Sequence, residues 1–259
     1  MTTLDQALRQ CAGRPLLGVA ALTYNPAFVE IAAHLGFKVL WVEMEHTFLT
    51  FREAADLCRM ASGMGLLTMI RIPDASRENV LKAAECGPDI LDIPMANSAE
   101  VLQDLVRHAR FPPLGERGFF SVSRAVHYGL AEPVPEEQQR INRELCLMAQ
   151  VETMTAVERA EELCQVPEVG ALFLGPGDLS ASLGVPGQTG HPKVLEAAAR
   201  VIATARRHGK LIATAAPPPD FEFYISQGID LLFCGHELGC LKSGAEALLE
   251  QARAAMERT

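Results

Sequence analysis

The chain has 259 residues, 49% of them hydrophobic and 21% charged, with a formal net charge of -9. That balance suits a globular enzyme-sized fold with a large buried core. It argues against nucleic acid or an anionic membrane surface as a partner, because phosphate-rich surfaces want a basic face. The seven cysteines form no CxxC pair and lie mostly among apolar neighbours. This predicts reduced thiols and a cytoplasmic location. The start MTTLDQALRQ lacks the basic and apolar regions of a secretory signal. No apolar run approaches the ~20 residues needed to span a bilayer.

Residues 3–11 predict a short opening helix with Leu4, Leu8 and Cys11 on one face. Residues 16–22 read as the first buried strand. Asn25-Pro26 then opens a helix that proline suits at its first turn, with Phe28, Ile31, Ala32 and Leu35 expected inward and Gly36 ending it. The second strand, 39–42, runs into Glu43-Met44-Glu45-His46. A helix over 50–64 leads to a third strand over 66–70, with Arg71 at its end. A helix over 76–86 leads to a fourth strand over 89–93, and a helix follows over 98–110. Residues 111–145 break the rhythm with Pro112-Pro113, Arg117-Gly118 and Arg124, and end in a charged helix over 135–144. A long insertion in a tight fold is usually functional or interfacial. A fifth strand (146–151), a helix (156–165), a sixth strand (171–174), a helix (192–208), a seventh strand (210–215), a short helix (221–227), an eighth strand (229–233) and a last helix (244–257) complete the chain.

Eight short apolar runs alternating with helical patterns predict an α/β fold with a parallel sheet. With no second composition regime, residues 1–259 read as one domain, a single (β/α)8 TIM barrel, for which about 250 residues is typical. An open doubly wound sheet is disfavoured, because LLGVAALTYNP lacks the GxGxxG turn.

In such a barrel the strand ends share one rim, where the chemistry sits. The residues there are Glu43, Glu45 and His46, then Arg71, then Gln150 and Glu152, then Asp178. Each has a plainer reading: Glu152 as a solvated or capping acid, Asp178 as a helix N-cap, Arg71 as a structural ion pair, His46 as an ordinary surface imidazole. Taken together, the carboxylates of Glu152 and Asp178 supply hard oxygen ligands that suit Mg²⁺ or Mn²⁺, with Co²⁺ or Zn²⁺ possible. Gly175-Pro176-Gly177 before Asp178 lets backbone approach a ligand. Arg71 would serve as a donor to developing negative charge, and His46, beside Glu45, as a general base. His127, His191 and His236 are weaker candidates. Lys38 and Lys210 start strands, at the wrong rim for Schiff-base chemistry.

The order WVEMEH, RIP, LKAAECG, IPMANSAE, FPPLGERG, QVET and GPGDLSASLG resembles the HpcH/HpaI aldolase family. These are class II, metal-dependent pyruvate aldolases of the phosphoenolpyruvate mutase/pyruvate kinase-like barrels. The resemblance runs over about residues 17–233. It implies Glu152 and Asp178 as metal ligands, Arg71 as the enolate-binding arginine, and His46 as a base working with an acid at the position of Glu85. Gln150 and Gly177 fall beside the metal and substrate. Arg117 and Arg124 fall in a segment that helps line a neighbouring subunit's site. A homohexamer, a trimer of dimers with an exchanged C-terminal helix over 245–256, is the implied assembly.

Some positions depart from the family pattern. Glu85 and Glu43 stand where aspartate is usual, Thr47 follows the Glu-His pair in place of glycine, Gly177 replaces an alanine, and Gly235-His236-Glu237 replaces a small-residue–aspartate pattern. The implied reaction is reversible cleavage of a 4-hydroxy-2-oxo acid to pyruvate and an aldehyde. Two other readings stay open at this point: a condensing enzyme using an oxaloacetate-derived enolate on the same scaffold, and a barrel that binds a metabolite without turnover.

Overall fold

A strand covered on both faces can be apolar at every position, and the eight runs behave this way. In the computed structural model, which describes residues 2–11, 13–130 and 133–258, they form β1 (Leu16–Ala21), β2 (Val39–Glu43), β3 (Leu67–Arg71), β4 (Ile90–Ile93), β5 (Cys146–Val151), β6 (Val169–Leu174), β7 (Leu211–Ala215) and β8 (Leu231–His236). Each pairs in parallel with the next, and β8 closes on β1. The helices are α1 (Thr3–Gln10), α2 (Pro26–Leu35), α3 (Phe51–Gly63), α4 (Arg77–Glu85), α5 (Ala99–Ala109), α6 (Val134–Glu144), α7 (Met154–Glu158), α8 (Ala160–Cys164), α9 (Pro176–Ser182), α10 (Pro192–Arg207), α11 (Phe221–Ser226) and α12 (Glu237–Met256). No helix among the described residues is long and apolar enough to cross a membrane. All seven cysteines are free.

Alternation along each strand divides the core in two. One set of side chains, including Val42, Ile70, Leu91, Leu147 and Leu172, packs against the helices. The other fills the barrel interior, as Val39, Trp41, Met69, Ile90, Met148, Phe173 and Phe233 do. The rings of Trp41, Phe173 and Phe233 meet one another with centroids 5.2–6.0 Å apart. Leu4 of α1 joins this interior cluster and is buried, so α1 plugs the end of the barrel where the strands begin. The opposite end, where they finish, carries the acids.

The structure moves several expected boundaries. In α2 the buried residues are Val29 and Ala32, while Ile31 and Leu35 face solvent. The helix expected over 156–165 is two short pieces meeting at Arg159. The last helix starts at Glu237 because the His236 imidazole accepts the Gly239 N–H at 3.1 Å and caps it. The insertion holds a 3₁₀ stretch (Arg124–Gly129), α6 and a small core of Phe111, Val126 and Ile141.

Gly18 of β1 has a steric reason: a Cβ there would lie 2.6 Å from the Phe233 ring and 3.1 Å from the Val39 carbonyl. The ring cannot retreat, because Trp41 and Phe173 hold it. Gly18→Ala should therefore cost about 1–3 kcal/mol in urea unfolding. Combined with Phe233→Leu, the two costs should sum to less than their separate values. Strict additivity would show that the ring does not set this constraint.

Candidate active site

The site grows from the last inward-facing positions of neighbouring strands. β2 ends at Glu43 and β3 at Arg71, which are paired in register. Both are buried, and Arg71 Nε donates to Glu43 Oε2 at 2.5 Å. The other Glu43 oxygen accepts the backbone N–H groups of Glu45 and His46 at 2.8 and 2.9 Å. Arg71 Nη1 donates to Gln150 Oε1 at 3.1 Å and lies 3.1 Å from Glu45 Oε2. Its guanidinium carbon sits 4.8 Å from the centroid of the Trp41 ring. Arg71 is thus gripped on every side. Burial works against its charge, but the Glu43 hydrogen bond and the charges of Glu43, Asp92 and Glu45 outweigh that and keep it protonated.

His46 lies at the mouth, largely exposed, with Nε2 3.5 Å from Glu45 Oε2. Burial raises the Glu45 carboxyl above its ordinary value, opposed by Arg71 and His46 and reinforced by Glu43 and Asp178.

Glu152 follows β5 and is buried, which removes its reading as a solvated acid. Its Oε1 accepts the Met95 N–H at 2.5 Å. Met95 holds a left-handed backbone (φ 52°) that costs a non-glycine residue energy and recurs at functional sites. A Cβ on Gly175 would fall 2.8 Å from Glu152 Oε2, so only glycine leaves room for this carboxylate. Asp178 is not a helix cap. Gly175 occupies the N-cap of α9, and Asp178 stands in the first turn, close enough to Glu152 for their charges to interact. Burial, then Glu45 and Asp178, push the Glu152 carboxyl up to about 7, with the Met95 N–H and Arg71 opposing. Gly177 has open space around its Cα, so the usual alanine would also fit.

This donor set fits a hard divalent cation. Glu43, Glu45, Asp92, Glu152 and Asp178 act on one another and on the Arg71 guanidinium. The excess is negative, and the donors are carboxylate oxygens. No group of three or more His, Cys, Asp or Glu arranged for a metal occurs among the described residues. Glu152 and Asp178 would therefore leave most positions to water or substrate, as Mg²⁺ sites commonly do.

Above the aromatic layer a cavity of about 680 Å³ opens, lined by Trp41, Glu43, Arg71, Gly177, Phe233 and His236 among others.

The HpcH/HpaI aldolase/citrate lyase family profile matches residues 18–229. The chain belongs to this family. A 2-keto-3-deoxy-L-rhamnonate aldolase of Escherichia coli K12 is 32% identical over 209 residues, 80% of this chain and 77% of that protein. The structure of an HpcH/HpaI aldolase from Desulfitobacterium hafniense DCB-2 superposes with a TM-score of 0.88 at 31% identity, over 98% of this chain and 97% of that one. A family protein from Burkholderia cenocepacia J2315 gives 0.89 at 28% identity, over 98% and 100%.

Two of the expected residues are not brought to this rim. Glu85 ends α4 on the outer wall of the barrel, where its Oε1 accepts from Arg117 Nη2 at 2.8 Å. Arg124 donates to the carbonyls of Cys58, Cys86 and Gly87 and to Ser62 Oγ. In a family built on oligomers, either would have to act on a neighbouring copy.

Two residues were missed in the sequence. Glu237 is fully buried and accepts the N–H groups of Leu22 and Thr23 at 2.8 and 2.5 Å, tying the β1–α2 loop to the rim. Asp92 is fully buried on β4, and neither carboxylate oxygen has a hydrogen-bond partner. Its only sequence signal is a charge one residue from the end of an apolar run. Burial raises it well above the usual range, Arg71 opposes, and Glu152, Glu43 and Glu45 add to the rise. Its folded-state pKa therefore exceeds its unfolded one, near ~3.9. Its contribution to stability is full below that value and lost as pH rises toward the folded pKa. In EDTA, Asp92→Asn should melt several degrees above wild type at pH 8, and the gap should close toward pH 4.5. A gap that widens toward acid would show that Asp92 is held charged in the fold.

Proposed function

We propose that this chain is a divalent-metal-dependent aldolase that reversibly cleaves a 4-hydroxy-2-oxo acid to pyruvate and an aldehyde. The observation that carries the reading is the rim itself. A fixed, buried guanidinium and a pair of hard carboxylates meet above an apolar floor, in a member of an aldolase family. Glu152 and Asp178 would hold the ion. When bound, it supplies a Lewis acid for the carboxylate and oxo oxygens of the substrate.

The protein's own groups then divide the work. Arg71, locked by Glu43, Gln150 and the Trp41 face, presents guanidinium hydrogens to the oxygen where negative charge grows as the C3–C4 bond breaks. His46 takes the proton of the C4 hydroxyl, and Glu45 faces the resulting imidazolium at 3.5 Å. The first-turn N–H groups of α9 stand uncapped by any side chain and suit the substrate carboxylate. The aromatic layer below keeps water from the enolate.

Glu85, Arg117 and Arg124 serve, in this reading, a neighbouring subunit. The exposed Leu238, Leu241, Leu248 and Leu249 of α12 support an assembly in which that helix packs on another copy. The small-molecule partners are thus an oxo acid, pyruvate and an aldehyde, and the reading needs neither nucleic acid nor membrane.

Exchange of the pyruvate methyl protons with deuterium, followed by NMR, tests enolate formation without a guess about the aldehyde. Exchange should require Mg²⁺ or Mn²⁺, stop in EDTA and vanish in Glu152→Ala. Silence with every divalent metal would reject the aldolase reading. Arg71→Ala should lower kcat by about 10²–10³-fold, the worth of one preorganised donor to an oxyanion, with the barrel still folded by circular dichroism. Normal turnover in that variant would remove Arg71 from the chemistry.

A further inference from the structure

The opposite end of the barrel holds a second cavity, of about 500 Å³. It lies among residues that precede strands: Gly87–Asp89 before β4 and Leu145 before β5, with Thr3 of the plugging helix α1 on one side. The metal-ligand candidates are at the other end of these strands. Four guanidinium groups line this cavity: Arg59 of α3, Arg117 and Arg124 of the insertion, and Arg140 of α6.

Only two acids line it, and both are engaged. Asp89 accepts the N–H and hydroxyl of Thr68 at 2.8 and 3.1 Å. Glu144 accepts from Arg140 Nη1 at 3.0 Å. The acids that pair Arg59 and Arg117, namely Asp56 and Glu85, do not line it. Arg124 spends its hydrogens on three carbonyls and a hydroxyl, so its charge meets no carboxylate among the described residues.

Arg117 carries the argument furthest. Its side chain is 1% exposed, and only Nη2 has a partner, Glu85 Oε1. Nε and Nη1 are buried donors without an acceptor. Its flat face rests 4.7 Å from the centroid of the Phe111 ring, which fixes its orientation. Buried guanidinium hydrogens left unpaired are costly and rare. An oxyanion is the acceptor that arginine forks are shaped for. A chain with net charge -9 that gathers four arginines around one hollow has concentrated its positive potential there.

We infer that this cavity is a binding site for a small, multiply charged oxyanion of the phosphate or carboxylate class, separate from the site at the rim. The arginines of the insertion and α6 close on it from one side, and Arg59 from α3 on the other.

The test uses the full-length chain in EDTA, so that no metal at the rim recruits the anion. Inorganic phosphate, pyrophosphate and malonate are titrated by calorimetry and by thermal shift, with ionic strength held constant by NaCl. At least one should bind saturably and raise Tm. Arg59→Gln and Arg140→Gln should each weaken its Kd by about tenfold or more, the worth of one charge-assisted hydrogen bond. Arg71→Ala at the rim should leave the Kd unchanged. The preferred probe assigns the class, phosphate or carboxylate. Arg59 is more than half exposed on α3, so its variant folds even if Arg140→Gln does not. Loss of binding in Arg71→Ala, unchanged affinity in Arg59→Gln, or a Tm rise that chloride alone reproduces would each overturn the inference.

Discussion

The geometry of the rim depends on one buried ion pair, Glu43 with Arg71. Burying two charges is expensive, and such a pair holds only when its remaining hydrogen-bonding capacity is met. Here it is met in a particular way. One Glu43 oxygen takes the arginine, and the other takes the N–H groups of Glu45 and His46. A single carboxylate therefore sets both the guanidinium that would face the enolate and the loop that carries the base. Removing one partner of a buried pair typically costs about 3–5 kcal/mol, so the pair ties the fold and the chemistry together. Glutamate in place of the family's aspartate gives Glu43 the reach to bridge β3 and the turn after β2.

The floor under that pair explains why the rim can be polar at all. Trp41, Phe173 and Phe233 fill the barrel width, and Gly18 makes room for one of them. Trp41 also offers its ring face to Arg71, so the same side chain packs the core and holds the cation. Glu152 is accommodated in the same way from the other side of the rim. Gly175 gives it space, and the strained Met95 gives it an N–H. These arrangements place a carboxylate where burial opposes its charge, and a cation there restores it.

The barrel was legible in the sequence because each strand is buried on both faces and each helix has a clear stop. The rim acids were legible for a related reason: a charge that ends an apolar strand has one place to go in a closed parallel sheet. What stayed hidden depends on distance along the chain. Glu237 reaches N–H groups 215 and 214 residues away, and no local pattern announces that. Asp92 looks like a strand-end charge, but it is enclosed by residues from β2, β3 and β5. Periodicity also failed on α2. Ile31 and Leu35 sit at helical spacing yet face solvent, because spacing shows that a face is apolar without showing what covers it. Glu85 and Arg124 mark the same limit: their positions match a motif, but in a single chain their contacts lie on the outer wall and the closed end.

The two ends of the barrel carry opposite charge for one structural reason. At the rim, acids from adjacent strand ends converge, and one fixed arginine does not balance them. At the closed end, the helix termini and the insertion bring arginines together while their acids stand outside the hollow. An anionic oxo acid approaching the rim would be repelled by the carboxylates unless a cation lies between them. The electrostatics thus make metal binding a condition for substrate binding as well as for the chemistry. At the closed end no such intermediary is needed, since the guanidinium groups face the cavity directly.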